Sequence, residues 1–320
     1  MTGFTHLPDL ASRDLAGSVC AANDEFFAAR ENLIRPEPPS AVPTFGHKGK
    51  EYDGWETRRR REPGSDWAIV RLGVPGVVHG VVVDTSYFTG NFPPHVSVEA
   101  AHLPDHPSVE ELAAQAWETL VPKAPARGDT ANEYAVSDRR VWTHLRLTIH
   151  PDGGVARFRV HGTPVPDRRF LVGTIDLAAL ENGGALVSCS DAFYSSAGRL
   201  ILPGRARSMG EGWENARRRD GGNDWALFRL AGPGVVRHVE LDTSYFLGNA
   251  PGWVRLAGCE VASDEDLASA AWFDLVPRGR AQPDTRHRFL VPEDRPVTHV
   301  RLDVYPDGGM ARIRVWGELV

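Results

Sequence analysis

Two stretches of alternating hydrophobic and polar positions stand out. In His144–His150, Leu145, Leu147 and Ile149 face one way, while His144, Arg146, Thr148 and His150 face the other. That period of two predicts a half-buried β-strand. The pattern returns further along, with Val300, Leu302 and Val304 set against His299, Arg301, Asp303 and Tyr305. Each run meets Pro-Asp-Gly-Gly (151–154 and 306–309), a turn signature. In the first half, Ala156, Phe158 and Val160 then alternate with Arg157, Arg159 and His161. The spacing predicts a β-hairpin in each half. Trp67–Leu72 and the valine-rich Val77–Asp84 read as two further strands. Val74-Pro75-Gly76 is expected to turn between them, as is Gly232-Pro233-Gly234 in the second half. Helix signals are confined to Pro107–Trp117 and Asp264–Trp272, each led by a Ser and early acidic residues.

The patterns recur because the chain is duplicated. Gly54–Asn91 and Gly212–Asn249 align without a gap and are identical at 24 of 38 positions. Thr143–Gly162 matches Thr298–Gly317, and Asp24, Phe26 and Phe27 line up with Asp191, Phe193 and Tyr194. A unit of about 155–165 residues is the size of a domain, not of a solenoid repeat. The expected class is all-β: tandem jelly-roll-type β-sandwich domains, 1–165 and 166–320, joined at Thr163-Pro164-Val165-Pro166-Asp167.

Composition narrows the function classes. The 320 residues are 42% hydrophobic and 24% charged, with a net charge of −6. That balance gives no electrostatic footprint for nucleic acid or an anionic membrane. No apolar run is long enough for a transmembrane helix, and the first residues do not read as a signal peptide. Three scattered cysteines (Cys20, Cys189 and Cys259) suit a reducing compartment, so a cytoplasmic location is expected.

The shared polar residues fall in three segments. One is Gly-Trp-Glu-x-x-Arg-Arg-Arg, carrying Glu56, Arg59 and Arg60, or Glu214, Arg217 and Arg218. Another is Asp-Trp at 66–67 and 224–225. The third is Asp-Thr-Ser-Tyr-Phe-x-Gly-Asn, carrying Asp84, Thr85 and Asn91, or Asp242, Thr243 and Asn249. Polar residues where a strand runs into a loop are a common way to present a site. Each residue also has a plainer reading. The tryptophans can be core, the arginines a solvated face, and Asp84 and Asp242 caps on loop amides. A duplication retains folding residues as readily as chemical ones. No nucleotide-binding, serine-hydrolase or zinc-protease motif is present, so no cofactor is expected. His102 and His106 have metal-like spacing in a polar segment, and no metal site is expected there either.

Taken in order, GWETRRRR…DWAIVRLG…VDTSYFTGN and its second copy, each closed by HxRLxxxPDGGxARxRVxG-type segments, resemble the allantoicase (allantoate amidinohydrolase) family. The resemblance runs from about Asp9 to Gly317. It implies tandem jelly rolls of the galactose-binding-domain-like kind. It also implies hydrolysis of allantoate to ureidoglycolate and urea during purine (allantoin) breakdown. The substrate's carboxylate calls for a cation, best a bidentate Arg, expected from Arg59 and Arg60 or Arg217 and Arg218. Cleaving a C–N bond to a ureido group calls for proton transfer, expected from Glu56 and Asp84 or Glu214 and Asp242. Thr85 and Asn91, or Thr243 and Asn249, would orient the ureido arms. The repeats differ where Thr57-Arg58 becomes Asn215-Ala216 and where Pro93-Pro94-His95 becomes Pro251-Gly252-Trp253, so either repeat, or both, is open as the working one. A non-catalytic tandem β-sandwich that binds carbohydrate or another small ligand is the competing class, since fold alone does not give function. A third reading makes the repeated loops a homo-oligomer interface.

Overall fold

The longest element in each half is one strand of 19 residues, Asp66–Asp84 and Asp224–Asp242. The computed structural model of the protein describes residues 3–103 and 105–320. It divides into two compact units, Met1–Val165 and Pro166–Val320. The long strand corrects the expectation of two strands joined by a turn. Val74-Pro75-Gly76 is a bend within continuous strand, where the register with Val141–His150 shifts between Arg71 and Gly76. Close packing explains why glycines stand at this bend. A Cβ on Gly73 would lie 1.7 Å from the Leu15 carbonyl oxygen, and one on Gly76 would lie 2.6 Å from that of Thr163.

The bend lets one strand serve both layers of a sandwich. Its first half lies between Ser18–Ala22 and Val141–His150. His95–Ala101 and Glu118–Pro125 then extend that layer. Its second half pairs with Arg157–Pro164 and Ala131–Ala135. All these pairings are antiparallel, as a jelly roll requires. The second unit repeats the scheme. Ala185–Cys189 and Val297–Tyr305 flank the first half of Asp224–Asp242. Arg312–Leu319 and Arg286–Leu290 flank its second half. Trp253–Cys259 and Phe273–Arg280 complete the first layer.

Alternation correctly marks the inward faces. Leu145, Leu147, Ile149, Phe158 and Val160 are wholly buried, as are Val300, Leu302 and Val304. Each such side chain contributes about 1.5–3 kcal/mol of burial. The predicted hairpin is not formed, however. Val141–His150 and Arg157–Pro164 pair with different halves of the long strand, not with each other. The Pro-Asp-Gly-Gly segment crosses between layers because other chain segments take its hydrogen bonds. Gly153 accepts from the Thr57 amide, and the Gly154 amide donates to the Asn91 carbonyl. Gly154 and Val155 then pair with Glu56 and Trp55. Arg157 is a further departure. Its place in the alternation predicts a polar face, yet it is fully buried.

The helix signals shrink to single turns. Val109–Ala114 is α-helical and starts at a capping box between Ser108 and Glu111. Asp264–Ser269 is a 3-10 helix, with Ser263 donating to the Asp266 carboxylate. No helix among the described residues is long and apolar enough to cross a membrane.

If close approach at the bend sets the glycine requirement, Gly73→Ala should cost at least about 1–3 kcal/mol, the range for overpacking a tight site. Gly90→Ala, where a Cβ meets nothing within 4 Å, should shift stability by no more than about 0.5 kcal/mol. Urea unfolding of both variants checks the contrast.

Candidate active site

Glu56 sits on a two-residue strand that is held on both sides. Its amide donates to the Ala28 carbonyl, its own carbonyl accepts from the Phe27 and Ala28 amides, and Gly154 pairs with it across the sheet. Next to it, Trp55 is fully buried and donates its indole N–H to the Asp24 carbonyl at 2.8 Å. Trp213 does the same with Asp191. Both tryptophans are therefore core residues that pin the segment carrying the glutamate.

The Asp-Thr-Ser-Tyr-Phe-x-Gly-Asn segment delivers Asn91 to that glutamate, and most of it is a folding device. Asp84 accepts from the Ser86 amide at 2.8 Å and its hydroxyl at 2.6 Å. The buried Thr85 hydroxyl donates to the Arg127 and Thr130 carbonyls. Tyr87 takes a left-handed conformation (φ 68°), with its amide held by Asp129. Phe88 is fully buried, and Gly154 is bare because a Cβ there would come within 2.0 Å of the Phe88 ring. Asn91 follows. Its carbonyl accepts from Gly154, and its side-chain amide donates to Glu56 Oε1 at 2.7 Å. Glu56 Oε2 has no hydrogen-bond partner among the described residues. Asp242, Thr243 and Tyr245 repeat these loop bonds in the second unit. Asn249 donates to Glu214 Oε1 at 2.9 Å.

Of the residues singled out by sequence, the structure joins Glu56 with Asn91, and Glu214 with Asn249. It places Asp84, Thr85, Asp242 and Thr243 in loop-fixing bonds instead. These bonds fit the plainer reading of them as loop caps. Two of the arginines are engaged in ion pairs. Arg60 Nη1 lies 2.6 Å from Asp66 Oδ1, and its backbone amide is held by Asp152. Arg218 pairs with Asp224 and Asp220 and is anchored by Asp307. Asp66 and Asp224 are buried carboxylates, and removing either from water requires a paired cation. Arg59 and Arg217 are exposed.

A cleft of about 360 Å³ opens over Glu56 and Asn91, lined also by Phe27, Lys48, Lys50 and Tyr52. Burial pushes the Glu56 carboxyl above the ordinary carboxylate range, only partly offset by the Asn91 hydrogen bond. A carboxyl tuned upward beside an oriented amide can both take and return a proton. The two lysines were missed because reading the chain as a duplication favours what the copies share. Nineteen residues lie between Ile34 and Gly54, but only ten between Ile201 and Gly212. That length difference was the available signal.

The exchange of Thr57 for Asn215 is conservative in structure. Thr57 Oγ1 accepts from the Gly153 amide at 3.2 Å, and Asn215 Oδ1 accepts from the Gly308 amide at 2.9 Å. Arg58 and Ala216 both donate their backbone amides to an aspartate, Asp24 or Asp191. His102 Nδ1 meets the Val141 carbonyl at 3.0 Å, and no group of three metal-binding side chains occurs among the described residues.

The family model described as the allantoicase repeat matches residues 8–165 and 175–320. A probable allantoicase of Nocardia farcinica is 56% identical, over 99% of this chain and 96% of its own length. One of Streptomyces coelicolor is 50% identical, over 99% of this chain and 86% of its own. The crystal structure of allantoicase from Saccharomyces cerevisiae superposes with a TM-score of 0.83 at 34% identity. That match covers 98% of this chain and 93% of the yeast chain.

Because Arg60 partners buried Asp66, Arg60→Ala should lower stability by about 2 kcal/mol, in the range for a lost hydrogen bond to a charged group. Its KM for substrate should stay near that of the unaltered chain. Denaturant melts alongside steady-state kinetics separate the two effects.

Proposed function

The chain belongs to the allantoicase family, and from that membership we propose that it hydrolyses allantoate to ureidoglycolate and urea in purine degradation, with Glu56 as the proton-transfer group. The observation that carries the assignment of Glu56 is its half-buried carboxyl, fixed by Asn91 through one oxygen and left with the other available at the cleft. Glu56 accepts a proton from the attacking water as the C–O bond forms at the central carbon. As the C–N bond breaks, that proton passes to the departing nitrogen, which leaves as urea. Proton transfer by a positioned group contributes about 10²–10⁴-fold. Asn91 positions the carboxyl and offers its own amide oxygen to a ureido N–H. The Glu214–Asn249 pair repeats this geometry in the second unit. Each unit is proposed to be a domain in its own right, and a cytoplasmic homo-oligomer is the proposed working form.

Two tests address the catalytic assignment. Glu56→Gln should keep the fold and reduce kcat by about 10²–10⁴-fold, read by coupled urea release. Near-normal turnover in that variant would remove Glu56 from the mechanism. The pH profile gives the sign. Glu56 must be ionised to take the proton, and its pKa is raised, so kcat should fall with acidity at a pH above the ordinary carboxylate range. Glu56→Gln should abolish that acid limb.

A further inference from the structure

Between Ile34 and Gly54 the first repeat carries nine residues more than the second does between Ile201 and Gly212. The longer segment builds a small hairpin, with Phe45–Gly46 paired to Gly49–Lys50 and His47-Lys48 at its tip. It is not a loose loop. Thr44 Oγ1 donates to Glu51 Oε2 at 2.6 Å, and the Glu51 amide donates to the Thr44 carbonyl. Lys48 Nζ donates to the Phe26 carbonyl at 2.7 Å and lies 4.5 Å from the Phe26 ring centroid. Lys50 Nζ lies 4.9 Å from the ring of Tyr52, which stacks on buried Phe88 at 4.6 Å. Both ammonium groups line the same cleft as Glu56 and Asn91. An ammonium has three donors, so Lys48 can keep its backbone bond and still meet an anion.

Resting on the reading of the chain as an allantoate hydrolase, we propose that Lys48 and Lys50 hold the substrate's carboxylate, and that the first repeat is where hydrolysis takes place. The allantoate carboxylate is bonded to the carbon that reacts. A cation pair above the cleft would therefore set that carbon against Glu56. Arg60 is committed to Asp66, so the cleft's cationic contribution comes from the lysines. In the second repeat the shorter connection carries no lysine, and several of its groups are held by neighbours. Arg207 pairs with Glu211, Arg199 donates to the Gly210 carbonyl, and the Met209 sulfur lies 3.5 Å from Asn249 Nδ2.

Two readouts test this together: urea release by the full chain, and the heat of allantoate binding to Glu56→Gln. The variant pair Lys48→Ala with Lys50→Ala should raise both KM and Kd about tenfold and leave kcat within about twofold, as expected for uniform binding. The dependence of KM on ionic strength should flatten, since exposed cations attract anions in a salt-screened way. Lys→Arg at both positions should restore most of the affinity. Arg205→Ala, on the second repeat's shorter connection, should leave KM within about twofold. An active chain whose KM and Kd ignore the two lysines, or respond equally to Arg205→Ala, would overturn the inference while leaving the hydrolase reading intact. Lysine-dependent binding with no urea released by the wild-type chain would overturn the hydrolase reading and leave the carboxylate contact standing. A wild-type chain that neither binds nor hydrolyses allantoate would overturn both.

Discussion

The first unit's cleft depends on one buried ion pair. Arg157 has no exposed surface, and its guanidinium lies 2.9 Å from Asp53 Oδ2 while also donating to the Glu37, Asp53 and Ala156 carbonyls. Burial alone would raise the Asp53 carboxyl, but Arg157 and Ser40 hold it below the usual range. The pair ties both ends of the excursion that carries Lys48, Lys50 and Tyr52 to the strand Arg157–Pro164. A buried pair of this kind is weak evidence for net stability, but losing one partner leaves an uncompensated charge. Its effect here is positional. Without it, both ends of a long surface segment would lose their buried tie to the sheet, leaving contacts such as Lys48 with Phe26 and Tyr52 with Phe88 to hold it.

The second unit solves the same problem with less chain. Arg312 is buried at the equivalent position, donates to the Glu211 and Ala311 carbonyls, and lies 3.8 Å from the Glu211 carboxylate. The anchor is retained, although the acid changes from Asp to Glu and the span it closes is much shorter. The turn tether is retained too, as the exchange of Thr57 for Asn215 shows. Buried hydrogen-bonding demands hold the two units alike, because an unmet polar group inside costs about 1–3 kcal/mol. The exposed stretch between them carries no such demand.

This division also explains what could be read from the sequence. The inward faces were legible because burial imposes period two on Leu145, Leu147 and Ile149. The jelly-roll class followed from those strands and their punctuation. Glu56 and Asn91 were legible as candidates because they recur, but recurrence gave equal weight to Asp84 and Thr85, whose loop bonds are just as necessary. Pro75 and Gly76 looked like a turn because local chemistry does not distinguish a turn from a bend in continuing strand. The Pro-Asp-Gly-Gly segment looked like a hairpin because its actual partners, Thr57 and Asn91, are distant in sequence. The lysines carried no periodic or repeated mark at all.

The unequal lengths of the two excursions have an evolutionary consequence. Closing nineteen residues rather than ten costs about 0.6 kcal/mol of additional chain entropy, since that cost grows only with the logarithm of length. A gene that has doubled itself can therefore lengthen one copy's surface segment almost free of thermodynamic selection, provided a buried anchor such as Arg157 is already present. Sequence drift would be slowest at the anchors and fastest between them. Two halves that began as equals can part in chemistry long before they part in architecture.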